Sequence, residues 1–332
     1  MFCERLNGKC QIKRNISKWS LKARKKRKIF PQEYLAKSAI ASVLLSLMLT
    51  LLVSTPAMAE EDHSDSTDVL GFDLSRGWLD KPLHSHFSPL DTPLIHPFRV
   101  EPAFSNRDLL VDYNYNRKSD ENEHEIATEL EWPLTRRLAF IVEVPYTFID
   151  PKQGSSVDGI GDIGLGTRVL LAEYEKFLLA FNLEVETPTG DSDKGLGRGE
   201  TAIAPSLSAW LDLDNGWAAH LQLGTEHEVS SAENELFFKA ASVHTLNSGD
   251  YHEKDHDDHA HGLPPGLLSL IVEIDGKVDI AAADSGHVET EGIVGFHYTL
   301  SEHSDMRLGY VFPFSKTQNL NSGFTCGMIW HF

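Results

Sequence analysis

The chain is predicted to be all-β: a transmembrane antiparallel up-and-down β-barrel of about twelve strands. Three observations carry this. The C-terminal nine residues alternate strictly between two faces, a secretion signal opens the chain, and period-two stretches of strand length fill residues 107–332. In the closing segment Phe324, Cys326, Met328, Trp330 and Phe332 share one face, and Thr325, Gly327, Ile329 and His331 the other. Successive side chains of a strand point to opposite faces, so this segment has one apolar and one wetter side.

A final strand that ends on Phe, preceded by apolar or aromatic residues at alternate positions, resembles the last strand of bacterial outer-membrane barrels. The resemblance implies that Trp330 and Phe332 form an assembly signal read by the barrel-assembly machinery. It also implies a Gram-negative outer membrane as the destination and outer-membrane lipid as the surroundings.

At the other end, residues 1–38 are basic and include Arg24-Lys-Lys-Arg-Lys28. A mostly apolar run, Ala39 to Val53, and Ser54-Thr-Pro-Ala-Met-Ala59 follow, ahead of the acidic Glu60-Glu-Asp62. A charged region, a short apolar region and an Ala57-x-Ala59 site are the parts of a signal peptide, so residues 1–59 are expected to be cleaved after Ala59. The apolar run is shorter than the roughly 20 residues that span a bilayer as a helix. Residues 1–59 hold 12 Lys+Arg and 2 Asp+Glu, which leaves 18 basic against 47 acidic residues, a net charge of −29. Such a surface excludes a nucleic-acid partner, because phosphates are bound by Lys and Arg. Cys326, expected on the lipid face, is the one cysteine left, so no internal disulfide stabilises the exported chain.

Residues 60–106 carry Pro82, Pro89, Pro93, Pro97 and Pro102. They cannot form a strand or long helix, and are read as a periplasmic lead-in or as a plug in the barrel mouth. Strands follow near 107–117, 123–133, 136–148, 159–172, 176–188, 200–212, 216–228, 234–246, 266–277, 289–300, 305–314 and 323–332. In 137–148, Leu138, Phe140, Val142, Val144, Tyr146 and Phe148 oppose Arg137, Ala139, Ile141, Glu143, Pro145 and Thr147. In 217–226, Trp217, Ala219, Leu221 and Leu223 oppose His220, Gln222, Gly224 and Glu226. An even strand count puts both termini on the periplasmic side, with short turns such as 134–136 and 301–304 there and longer loops opposite. Trp132, Tyr146, Phe148, Trp217, Phe314 and Trp330 fall at strand ends, where barrels carry aromatic girdles and soluble sandwiches do not.

Several motifs point further. Asp91-Thr-Pro-Leu-Ile-His-Pro-Phe98, Glu101-Pro-Ala-Phe104, Trp132-Pro-Leu-Thr135, Glu143-Val-Pro-Tyr146, Gly159-Ile-Gly-Asp-Ile-Gly164, Glu186-Thr-Pro-Thr-Gly190 and Leu270-Ile-Val-Glu273 punctuate residues 90–332. Together they resemble the "MetA-pathway of phenol degradation" family of proposed outer-membrane transporters. The resemblance implies an outer-membrane barrel with a transport role, and does not assign phenol as solute.

The inward faces are expected to hold Glu129, Glu131, Glu143, Asp162, Glu184, Glu186, Glu200, Glu226 and Glu273 against Arg137, Arg168, Lys176 and Arg307. Such a wall fits a passive channel or transporter for small solutes, with Glu143, Glu184, Glu186, Arg137, Arg168 and Arg307 lining the lumen and the acidic excess favouring cations. Its alternative is a salt-bridged interior that fills the barrel. The turn 250–263 carries His252, His256, His259 and His261, with four carboxylates between the first and the last of them. That composition suits weak binding of a divalent transition metal, or a solvated turn; no other cofactor is expected. The Gly159-x-Gly161-x-x-Gly164 spacing lacks a βαβ context and reads as a bend or a close backbone approach, not a nucleotide site. An enzyme is not expected. An outer-membrane lipid hydrolase is kept as the alternative class, and a sealed barrel with a metal-buffering periplasmic turn as another. Against a hydrolase, no outward Ser–His pair and no Gly-x-Ser-x-Gly is found.

Overall fold

The computed structural model describes residues 69–82, 85–231, 234–247, 262–280, 288–315 and 319–332. Its strands are β1 (Asp108–Lys118), β2 (Glu121–Pro133), β3 (Leu138–Pro151), β4 (Val157–Ile160), β5 (Ile163–Tyr174), β6 (Phe177–Thr187) and β7 (Ala202–Asp212). They continue as β8 (Trp217–Glu228), β9 (Asn234–Thr245), β10 (Leu268–Asp279), β11 (Val288–Ser301), β12 (Ser304–Pro313) and β13 (Leu320–His331). β4 and β5 both pair with β3 and are parted only by Gly161 and Asp162, so they form one interrupted stave. Gly161, the middle glycine of the Gly159–Gly164 spacing, lies in that break.

The sheet closes. Neighbours in sequence are neighbours in the wall, and β1 pairs antiparallel with β2 on one side and with β13 on the other. The result is a closed twelve-stave antiparallel barrel. Closure pairs every wall strand but the four-residue β4 on both sides, which removes the open edges a bilayer does not tolerate. At ~3.3 Å per residue and ~45° tilt, the 14 residues of β3 rise about 33 Å, enough for a hydrocarbon core of ~30 Å.

Period-two alternation decides which way each side chain faces. Phe140, Val144, Leu165, Val272, Phe296, Leu308 and Tyr310 are exposed on the outer face, whereas Ala139, Arg168, Ile271, Glu273, Ile293 and Arg307 are buried within. Trp132, Trp217 and Trp330 are exposed at the end of the wall that carries the C-terminus; Tyr146, Phe148 and Phe314 are exposed at the other. These are the two aromatic belts expected at bilayer interfaces.

At the C-terminal end the interior is packed. Leu94, Ala103 and Phe104 bury against Leu178, Ala180, Trp210 and Ala218. Ile95 joins Val243, Leu263, Leu267 and Ile271, with Phe87 and Phe98 beside them. The side chains that meet the wall in this packing come from the segment before β1 and, for Leu263 and Leu267, from the connection that leads into β10. Among the described residues, no helix is long and apolar enough to cross a membrane.

Candidate functional site

Residues 92–106 run inside the wall, held chiefly through their backbone. Arg307, on β12, donates to the carbonyl of Pro97. The Glu273 carboxylate accepts the amides of Phe98 and Arg99 at 2.9 and 2.8 Å. Lys239 donates to the carbonyl of Arg99 at 2.8 Å, and the side-chain oxygen of Gln222 accepts the amide of Glu101 at 3.1 Å. Arg168 donates to the carbonyl of Phe104 at 2.7 Å. A proline-rich segment has no sheet partner for these groups, and buried backbone polar atoms must find one. Here five strands of the wall supply it.

Two arginines are the hubs. Arg168 donates to Glu131 at 2.6 Å, to Asn182 at 2.9 Å, and to Glu101 on the luminal segment. Arg307 grips both oxygens of Asp112, at 3.0 and 2.5 Å. Phe98 lies over the wall at Gly295 and Gly309, where an added Cβ would meet its ring at 2.5 and 2.9 Å. Only glycine leaves that seat open.

Beyond this strap, toward the end opposite the C-terminus, the interior is carboxylate-rich. Glu143 and Glu184 converge at Gly164, where an added Cβ would lie 3.2 Å from Glu184 Oε1 and 3.4 Å from the Cβ of Glu143. Both are half-buried and neither forms an ion pair among the described residues. Glu186 meets Arg198 at 3.1 Å, and the same guanidinium reaches Glu226 and Glu228. Arg99 pairs with Asp275 at 3.2 Å and Glu291 at 2.5 Å.

Of the six side chains expected to line the lumen, Glu143, Glu184 and Glu186 are partly exposed on the inner face, whereas Arg168 and Arg307 point inward but are buried against the strap. Arg137 does not meet open space. It is buried and donates to the carbonyls of Leu170 at 2.7 Å, Asp73 at 2.5 Å and Arg76, pinning the segment 70–78 to the end of the wall. Three further expectations are corrected. Lys176 precedes β6 and pairs with Asp214 at 2.5 Å in neighbouring exposed turns. Asp162 sits in the β4–β5 break and accepts the amides of Gly190 at 2.8 Å and Arg198 at 2.6 Å. Glu200 precedes β7 and accepts the amides of Ser230 and Ser231 at 2.7 and 2.8 Å. The Ser231 and Ser230 amides hold the Glu200 carboxyl below the usual range. Lys176, Asp162 and Glu200 all lie outside the strands, where alternation no longer applies. His252, His256, His259 and His261, and residues 1–68, lie outside the described residues.

The outward histidines are occupied otherwise than by serine. His124 bonds the Tyr113 hydroxyl at 2.7 Å, His227 bonds Asn234, and His244 stacks on Trp217 with centroids 4.1 Å apart. Gln222, Lys239 and Glu101 were missed by the sequence reading. All three sit at inward or luminal positions, but only their partners reveal the strap.

The sequence model of the family described as "Putative MetA-pathway of phenol degradation" matches residues 124–267, which bears out the resemblance drawn from the motifs. Among solved structures the chain is similar to the COG4313 outer membrane channel from Pseudomonas putida F1. That similarity has a TM-score of 0.50 at 13% identity, covers 72% of this chain and 100% of that one, and shows the barrel fold. Weaker likenesses are the KdgM porin in complex with disordered oligogalacturonate (TM-score 0.45, 9% identity, 67% of this chain and 99% of that one) and LpxR from Salmonella typhimurium (0.43, 9%, 68% and 100%). No curated protein matches the chain.

Proposed function

We propose that this chain is an outer-membrane channel for small solutes, narrowed from within by residues 92–106 and selective for cations. One observation carries the reading: a closed barrel whose unpaired carboxylates, Glu143 and Glu184, face a lumen crossed by a segment fixed through its own backbone. A wall built only for stability would pair or omit such carboxylates, since a buried charge is tolerated only when compensated or wet. Water in the acid-rich half compensates them, and rings of carboxylates favour cations.

In this reading the chain is exported by its signal peptide, inserted by the barrel-assembly machinery through the Trp330–Phe332 strand, and surrounded by outer-membrane lipid. A lipid hydrolase is less well supported, because the outward histidines are engaged by Tyr113, Asn234 and Trp217. Planar-bilayer recording of the purified chain tests the proposal. Discrete conductance steps with a cation-selective reversal potential are expected; a chain that inserts without conducting overturns it.

A further inference from the structure

The end of the barrel that carries the C-terminus contains a group of histidines and aspartates for which the channel reading has no use. His297 Nε2 lies 3.0 Å from Asp305 Oδ2, which is 2.8 Å from His331 Nε2. His331 Nδ1 lies 2.8 Å from Asp108 Oδ1, and Asp108 Oδ2 lies 2.9 Å from His96 Nε2. His86 stands over His331 with ring centroids 4.1 Å apart. All six are buried, none more than 7% exposed.

His86 is the member that a hydrogen-bond network does not explain. It bonds neither Asp108 nor His331. Its one polar contact is Nδ1 to the Asn106 amide at 3.1 Å. Placing the Asn106 oxygen against that nitrogen lets its NH2 serve the carbonyls of Ser85 and Ser105 at 3.2 and 3.3 Å. Asn106 then accepts from His86 Nδ1–H, and the lone pair falls on Nε2, which has no hydrogen-bond partner among the described residues. Meanwhile one donor atom each from His86, Asp108 and His331 lies within 4.8 Å of the others.

We propose that His86, Asp108 and His331 bind a divalent transition metal of the Zn²⁺ class. Two imidazoles and a carboxylate are a borderline donor set suited to Zn²⁺, Ni²⁺ or Cu²⁺. The surrounding shell is also in place. The atom of each ligand turned away from the metal is already held: His331 Nε2 by Asp305, His86 Nδ1 by Asn106, and Asp108 Oδ2 by His96. Such outer partners orient metal-binding side chains and set their tautomers. Binding exchanges the Asp108–His331 hydrogen bond for metal bonds and releases the His331 Nδ1 proton to solvent.

The position gives the metal a role. Asp108 opens β1 and His331 closes β13, and the two are register partners at the seam of the barrel. His86 belongs to the segment that continues into the luminal strap. One ion would staple that segment to the seam.

The test uses the full chain with residues 250–261 deleted, so that His252, His256, His259 and His261 contribute nothing while Leu263 keeps its place in the packing. Zn²⁺ is titrated calorimetrically, and Co²⁺ as an absorbing substitute. One ion per chain is expected. His86→Ala should weaken binding at least tenfold while Asp108, His331 and Asp305 keep their own contacts, and His86→Cys, which restores a ligand, should recover it. Asp305→Asn should weaken it about tenfold, as loss of an outer partner does. Heat-modifiable gel mobility confirms that each variant is folded. No metal uptake by the deletion chain, or equal affinity in His86→Ala, overturns the proposal. Neither result bears on conduction.

Discussion

The Glu273 carboxylate accepts the Arg99 amide at 2.8 Å from 174 residues away in the chain. Its second oxygen accepts the Phe98 amide at 2.9 Å, so one side chain fixes two consecutive peptide groups of the strap. A glutamine can serve only one of them as acceptor. A hydrogen bond to a charged group contributes about 1.5–3 kcal/mol, and 1.4 kcal/mol is a factor of ten. Glu273→Gln is expected to raise the population of loosened straps roughly tenfold or more. Single-channel recording should show larger or more frequent open steps. A trace indistinguishable from the parent would mean that the strap does not limit the bore.

Arg168 carries a different load. Its side chain and that of Glu131 are each 1% exposed, and Glu101 shares the same guanidinium. Removing one partner of such a pair leaves an uncompensated buried charge, at a cost of about 3–5 kcal/mol. Arg168→Met should therefore destabilise the barrel by that order in a urea titration. Arg168→Met combined with Glu131→Gln should recover much of the loss, because the stranded charge is gone. Equal instability of single and double variants would assign the effect to lost contacts with Phe104 and Asn182 instead.

The wall was legible because lipid outside and water or charge inside impose period two on every stave. The reading placed one strand near 216–228 and the wall has Trp217–Glu228; it placed another near 234–246 and the wall has Asn234–Thr245. Ends were less legible. Lys176 stands one residue before β6, where alternation still looks intact but no ladder enforces it. For residues 60–106 the prolines excluded regular structure without saying where the chain goes. Its partners decide that, and they lie far off in sequence: Arg168 is 64 residues from Phe104, and Arg307 is 210 from Pro97.

The histidine and aspartate group shows the same limit from another side. Alternation places His331 on the inner face, and barrel closure pairs β13 with β1. Periodicity reports a face, however, and not the level along the barrel axis. That Asp108, Asp305, His96 and His297 all reach the level of His331 follows from register and from the path of the strap. A signal was present in hindsight. Asp, His and Glu at inward positions within two residues of strand ends are costly unless paired, and Asp108, Asp305 and His331 are all so placed.

The carboxylates beyond the strap should set ion preference. Glu143 on β3 and Glu184 and Glu186 on β6 flank the β5 stave on the inner face, and among the described residues only Glu186 has a cation, Arg198, at 3.1 Å. Replacing all three by glutamine removes three negative charges and conserves shape. Lumen substitutions in barrels tune selectivity with little effect on insertion. In a potassium chloride gradient the reversal potential is expected to move toward zero, with yield and heat-modifiability unchanged. A reversal potential that stays put would show that these carboxylates are not in contact with the conducting water, and would favour an interior packed shut.

The end of the chain offers the last prediction. Phe332 is 63% exposed on the outer side, yet its amide donates to the carbonyl of Arg107 at 3.0 Å, extending the seam one residue past the β1–β13 ladder. Its ring therefore adds little packing, while its backbone adds one hydrogen bond of about 0.5–1.5 kcal/mol. That loss is too small to unfold a closed barrel. On the proposal that the residue is read during assembly, deleting Phe332 should nonetheless lower the amount of folded barrel in cells several-fold. Phe332→Ala keeps the backbone bond and removes the ring, so it should show the same defect. After refolding in detergent, both variants should match the parent in thermal stability to within about 1 kcal/mol. Normal cellular abundance of Phe332→Ala would remove the ring from the assembly signal, and a large stability loss in vitro would make its role structural.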